Sequence, residues 1–186
     1  MIYPIVAYGD PVLRKVTEDV NPDEIDVKKL SEDMFETMRN ANGVGLAAPQ
    51  IGKSIRFFII DASPMEDEDY ENFSAVFVNP EILAEDGDDW DFEEGCLSIP
   101  GIREEVKRKE KVRIRYRDEN WEEQEREFDG IAARIIQHEY DHLEGILFTD
   151  YLTGFKKRIL KGKLVDISKG DIKVDYAMKF PKLKKR

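Results

Sequence analysis

Two histidines constrain this chain more than any other feature of its sequence. They are the only histidines present, His138 and His142, and Glu139 lies between them in the pattern His-Glu-x-x-His. In a helix, residues four positions apart lie one turn apart on the same face, so both imidazoles can reach one metal ion without backbone strain. The surrounding face is apolar, where unpaired imidazoles would be costly. A metal site is therefore favoured over two surface histidines that arose by chance.

The apolar pattern around this motif predicts a helix over about residues 131–143. Asp129 is the predicted N-cap of this helix, and Gly145 is the predicted stop signal. Glu139, next to the first histidine, can reach a metal-bound water without ligating the metal, take its proton and pass it to a leaving amine. The predicted apolar face consists of Ile131, Ile135, Ile136 and Leu143.

The rest of the sequence predicts an α+β fold, with mainly antiparallel β-sheets packed around the central helix that carries the motif. Residues 43–52 are rich in glycine, which indicates a loop or edge segment that something approaches closely. Predicted strands cover residues 55–61, 75–84, 106–117 and 121–128, and predicted helices cover residues 26–40 and 154–161. After Gly162 the pattern is strand-like, as in residues 172–176.

Length and charge suggest one domain with a distinct end. The 186 residues suit a single domain over 1–186, with residues 153–186 as a basic C-terminal extension of that domain. From residue 156 onward, 12 Lys and Arg oppose three Asp, which gives a net charge of +9 against −20 for the remainder. The overall charge of −11 disfavours DNA as the main partner. The extension is either a solvated tail or an arm for a polyanion.

Composition also predicts where the protein works. No stretch approaches the roughly 20 apolar residues of a membrane span, and the first residues lack the basic and apolar regions of a secretory signal. With one cysteine, an internal disulfide is excluded. These features predict a cytoplasmic protein without a membrane partner.

The third metal ligand is not settled by the residue pattern. A catalytic metal usually has three protein ligands and one open position for water. Because a third histidine is absent, the candidates are Cys96 and an acidic residue. Cys96 follows Gly95 in a segment of small residues that can present its sulfur to a ligand, but a single cysteine is also commonly a small buried apolar residue.

Three segments, in this order and spacing, resemble the peptide deformylase family of the bacterial type. They are residues 43–50 (GVGLAAPQ), 94–98 (EGCLS) and 137–143 (QHEYDHL). The resemblance spans about residues 1–150 and implies a hydrolase that removes the formyl group from the formyl-methionine of newly synthesised polypeptides. It also implies one divalent metal ion, usually ferrous iron, for which zinc or nickel can substitute.

The resemblance further implies a role for each matching residue. Cys96, His138 and His142 would be the metal ligands, and Glu139 would be the general base and acid. Gln50 and the backbone N–H of Leu97 would bind the oxyanion that forms on the formyl oxygen. The backbone of Gly45 would pair with the substrate peptide.

Further expectations concern the surroundings of this site. Val44 and Ile135 are candidates for the pocket of the methionine side chain, although each is at least as well explained as core. Glu94 and Arg108 are expected to pair in the interior and brace the cysteine segment. The basic extension is expected to contact the ribosome, where formylated chains emerge.

Two rival interpretations remain. One is a metallopeptidase that shares the His-Glu-x-x-His pattern and takes its third ligand from downstream, where Glu144 and Asp150 are available. The other is a structural metal site closed by a fourth protein ligand. In that case Glu139 would be dispensable for catalysis.

Overall fold

The computed structural model describes residues 1–65 and 70–181, and an antiparallel sheet lies at its centre. Part of the predicted basic extension, residues 182–186, lies outside the described residues. Its strands are β2 (Gly45–Ala47), β3 (Phe57–Asp61), β4 (Ser74–Cys96), β5 (Ile99–Arg117) and β6 (Glu123–Asp129). Each strand lies beside the next in this order.

Helices α1 (Val27–Asn40) and α2 (Gly130–Leu143) cover opposite faces of this sheet. Successive residues of a strand point to opposite faces. In β3, Phe57 therefore packs into the cluster that contains α1, and Phe58 packs into the cluster that contains α2. The predicted α+β fold with its central helix is confirmed. Among the described residues, none of the helices has the length and apolar character needed to cross a membrane.

Helix α2 begins and ends close to the predicted residues. Asp129 is the N-cap residue, but its side chain makes no capping hydrogen bond to the first turn. It accepts a hydrogen bond from the Tyr70 hydroxyl at 2.8 Å instead. Gly145, just beyond the C-terminal end, has a φ of +70°, which favours glycine. The capping residues therefore predicted the bounds of this helix, but the hydrogen-bond partner of Asp129 could not be predicted.

Strand β4 is longer than the predicted strand at 75–84, because it continues through a local irregularity at Asn79. Asn79 has a φ of +48°, and the register of β4 on β5 shifts between Val78 and Glu81. The Asn79 side chain bonds both backbone groups of Val20, at 2.7 Å and 3.0 Å. Beyond this point most residues up to Asp91 are at least partly exposed and charged. The chain therefore pairs with β5 there without an apolar alternation that sequence analysis could detect.

The C-terminal region differs most from prediction. Helix α3 (Gly154–Lys169) extends well past the predicted 154–161, and the predicted strand at 172–176 is wrong. Buried Leu160, Leu164 and Ile167 pack against the start of β5, and this burial offsets the low helix propensity of Gly162. The only strand after α3 in the described chain is β7 (Met178–Lys179), which pairs in parallel with β1 (Ile5–Val6).

The aromatic centre of the sheet gives a test of this packing. Phe77 is fully buried, and its ring centroid lies 4.5 Å from that of Phe58 and 4.3 Å from that of Tyr116. We expect Phe77→Ala to lower the free energy of unfolding by about 3–5 kcal/mol, because it removes buried surface and leaves a cavity. Urea unfolding measures this. The matched control is Phe155→Ala on α3, where the ring is 70% exposed; equal losses in both variants would contradict the assigned core.

Candidate metal centre

The sheet and α2 bring the three predicted metal ligands together. His138 and His142 project from α2, and Cys96 ends β4. Their ligand atoms all lie within 4.8 Å of one another, and Cys96 Sγ is 3.4 Å from His142 Nε2. A thiolate with two imidazoles is a donor set that suits a divalent transition metal. Among the described residues no fourth metal-binding side chain joins this group, so a metal held by these three would keep a position open for water.

Glu94 orients the first histidine. Its Oε2 atom lies 2.8 Å from His138 Nδ1, so this nitrogen donates to the carboxylate and Nε2 is available to a metal. Burial alone would raise the pKa of Glu94, but hydrogen bonds from His138 and Arg108 hold it well below its usual range. Burial lowers the pKa of His142 well below its usual value and keeps that ring in the neutral form that binds metals.

The expected pair between Glu94 and Arg108 is present and buried. Arg108 donates to both carboxylate oxygens, at 2.6 Å and 3.0 Å, and also to Asp141 at 2.8 Å. Sequence analysis missed a second arginine, Arg134, which donates to Glu94 at 3.0 Å and to the backbone of Val106 at 2.8 Å. Its position four residues before His138 places it on the histidine face of α2, a signal that was available in the sequence.

Glu139 is buried beside the ligands, and its Oε2 atom has no hydrogen-bond partner among the described residues. Burial raises the pKa of Glu139 to about 7, so near neutral pH the carboxyl can both accept and release a proton. Its side chain lies directly against Gly45, where an added Cβ atom would be 2.8 Å from Glu139 Cδ. The predicted close approach to this glycine-rich segment is confirmed.

Gln50 points its amide group toward the same place. It lies in the short turn Ala48–Ile51 after β2 and is buried. Its Oε1 accepts a 2.8 Å hydrogen bond from the backbone N–H of Ala47, which turns Nε2 toward Cys96 Sγ at 3.4 Å and Ser98 Oγ at 3.3 Å. A neutral donor is thus fixed beside the candidate metal ligands.

The ligands lie in a cleft of about 810 Å³. Val44, Gly45 and Leu97, each singled out in the sequence, line it together with Ile135. Sequence analysis missed further apolar lining residues, because the sheet brings them together from distant parts of the chain. They include Phe92 and Ile102.

The fold and this site define an α+β protein with a Cys/His/His centre in an apolar cleft. Comparison with known proteins identifies the family. Residues 2–158 match the polypeptide deformylase family, and a peptide deformylase of Cytophaga hutchinsonii is 59% identical over 97% of this chain and 98% of that relative. The chain therefore belongs to the polypeptide deformylase family, whose members are metal-dependent and remove formyl groups from nascent peptides.

Solved structures agree with this membership. A peptide deformylase from Legionella pneumophila superposes with a TM-score of 0.81 at 39% identity, over 92% of this chain and 98% of that one. The enzyme from Thermotoga maritima gives a TM-score of 0.75 at 42% identity, over 82% of this chain and 99% of that one. The resemblance inferred from three short segments is confirmed, and the rival assignment to a metallopeptidase family is not.

The Glu94 contacts give a test of the centre. We expect Glu94→Gln to weaken zinc binding by about 10–100-fold. The amide orients His138 less firmly, and it removes the negative charge that two buried arginines face. Titration of metal-free protein with zinc against a competing chelator measures this. Glu93→Gln is the matched control, since that neighbouring side chain is 59% exposed. Equal zinc affinity in the two variants would exclude the orienting role.

Proposed function

We propose that this chain hydrolyses the formamide of formyl-methionine at the N-terminus of newly synthesised polypeptides and releases formate. Cys96, His138 and His142 would hold one divalent metal ion. One observation carries the proposal: the three ligand atoms, the unpartnered carboxylate oxygen of Glu139 and the Gln50 amide converge in one apolar cleft. A closed structural metal site would have no use for an unpartnered buried carboxylate.

Ferrous iron is the proposed metal in the cell, with zinc or nickel as substitutes in purified protein. A bound ion of this kind would acidify a coordinated water and polarise the formyl carbonyl. The thiolate of Cys96 suits each of these metals and ties the centre to a reducing compartment, because thiolates are readily oxidised. We accordingly propose that the protein acts in the cytoplasm.

Glu139 is the proposed general base and acid. It takes a proton from the attacking water and passes it to the leaving amine of methionine as the C–N bond breaks. The pKa of about 7 that burial gives this carboxyl suits both steps. Gly45 keeps the space beside it clear, since any larger residue would push Glu139 aside.

Gln50 and the backbone N–H of Leu97 are the proposed oxyanion donors. Attack on the formamide places negative charge on the formyl oxygen, and donors fixed in advance stabilise it without reorganisation. The hydrogen bond from Ala47 already orients the Gln50 amide. Because Gln50 is neutral, its burial incurs no desolvation of a charge.

The substrate peptide is proposed to add to the edge of the sheet at β2. The N–H of Asp61 bonds the carbonyl of Val44 at 2.8 Å. Antiparallel pairs alternate between bonded and non-bonded positions, so the N–H and C=O of the next residue, Gly45, point away from β3. An extended peptide can pair with these groups. Val44 and Ile135, which line the cleft, would contact the methionine side chain.

We also propose that the whole chain forms one domain and that its basic extension contacts the ribosome. Met178 and Phe180 pack against the same apolar cluster as Ile99, which supports one domain that includes residues 178–180. Helix α3 exposes Phe155 and Ile159 by 70% and 63%. It also carries Lys156, Lys157, Arg158, Lys161, Lys163 and Lys169. The basic side chains on this helix suit a polyanionic surface.

Glu139→Gln tests the reaction. We expect it to lower the rate of deformylation of a formyl-methionyl tripeptide by about 100-fold or more, because an amide cannot accept the proton. Metal content should be unchanged, since Glu139 is not among the proposed ligands. Release of formate is the measurement, and Glu127→Gln on the exposed face of β6 is the control. Full activity of Glu139→Gln, or cleavage of an internal peptide bond by the wild type, would refute the proposal.

Charge reversal on α3 tests the ribosome contact. We expect Arg158→Glu with Lys161→Glu to abolish salt-dependent co-sedimentation with ribosomes, because it removes positive charge from the proposed contact. The matched control is Lys28→Glu with Lys53→Glu, which makes the same change of net charge on other exposed positions. If both double variants sediment alike, or if wild-type binding is insensitive to salt, the extension is not the contact.

A further inference from the structure

The turn that carries Leu97 is not stabilised by its own geometry. Cys96 pairs with Ile99, so Leu97 and Ser98 form the two-residue connection between β4 and β5. The preferred two-residue hairpin turns have at least one central residue with positive φ, because only those turns match the twist of the strands. Both residues are described by the structure, and neither has a positive φ. Other parts of the chain must therefore hold this turn in place.

Contacts from two ends of the chain supply that support. The backbone N–H of Tyr8 donates to the carbonyl of Ser98 at 2.9 Å. The hydroxyl of Tyr176 donates to the carbonyl of Leu97 at 2.8 Å. Both carbonyls of the turn are thus bound from outside the hairpin.

The backbone that follows Tyr176 is itself anchored. The carbonyl of the next residue, Ala177, accepts a hydrogen bond from Ile5 at 2.8 Å, and the carbonyl of Lys179 accepts one from Ala7 at 2.9 Å. Tyr176 and Leu97 both pack against the apolar cluster that contains α1, and both line the cleft. This residue lies beyond the part of the chain that matches the family, residues 2–158.

We propose that Tyr176 is a positioning residue for deformylation, which rests on the function proposed above. Its hydroxyl fixes the peptide group between Leu97 and Ser98. Since the turn has only two residues, fixing this group also sets the plane of the preceding peptide group, between Cys96 and Leu97. The N–H of that group belongs to Leu97 and is the proposed oxyanion donor. The proposed effect of Tyr176 on the reaction passes through Leu97. The C-terminal segment thereby becomes part of the catalytic apparatus.

Tyr176→Phe removes the hydroxyl and keeps the ring. We expect kcat for a formyl-methionyl tripeptide to fall about tenfold, because a donor displaced by a fraction of an ångström loses much of its effect on the transition state. KM should stay within about twofold and the melting temperature within about 3 °C of wild type. The control is Tyr70→Phe outside the cleft lining, where the lost hydroxyl donates to the Asp129 side chain at 2.8 Å and accepts from the Asp129 N–H at 3.1 Å.

Hydrogen exchange of zinc-loaded protein gives a readout that is independent of activity. Peptides that cover residues 96–99 should exchange faster in Tyr176→Phe than in wild type or Tyr70→Phe, with the rest of the chain unchanged. An unchanged kcat would overturn the proposal. So would a rise in KM alone, which would make Tyr176 a substrate contact, or a fall in kcat that only accompanies a loss of stability. If wild-type holoenzyme fails to deformylate the peptide, the proposed function fails, and the exchange result still decides whether Tyr176 holds the turn.

Discussion

The carboxylate of Glu94 is the interaction on which the rest of the site depends. It lies in β4 and accepts hydrogen bonds from Arg108 of β5 and from Arg134 and His138 of α2. One buried anion therefore joins two strands to the helix that carries the histidines. Loss of this carboxylate would take the carboxylate partner from buried Arg134 and leave Arg108 with Asp141 alone, which is far more costly than loss of a surface pair. Stability of the hairpin and orientation of His138 thus share one cause.

The sheet suits the proposed reaction because each group proposed to take part lies on a rigid element or is bound to one. Cys96 ends a long strand, the histidines lie within a helix, and the Gln50 amide is fixed by a backbone hydrogen bond from Ala47. Edge strand β2 leaves the backbone of Gly45 open toward the cleft, beside Glu139. Groups held in this way lose little entropy when substrate binds, so the geometry needed for hydrolysis exists beforehand.

Sequence analysis succeeded where local chemistry repeats along the chain. The helix with His138 and His142, the α+β class and the family followed from periodicity, capping residues and three short segments. It failed where tertiary packing overrides local preference. Gly162 indicated an end to the last helix, yet burial of Leu164 and Ile167 carries that helix to Lys169. The spacing of Arg134 from His138 predicted its face of α2, but its burial was missed because its partner, Glu94, is 40 positions away.

The sequence by itself determined that two imidazoles and a carboxylate share one helical turn, because spacing of four residues sets a common face in any helix. It also determined which family the chain belongs to. Only the tertiary structure decided that Cys96 lies beside those imidazoles and that Glu94 binds two arginines. It also decided that the Tyr176 hydroxyl bonds the turn at Leu97. These contacts join residues far apart in the chain. Their geometry depends on strand register and helix packing, which no local pattern encodes.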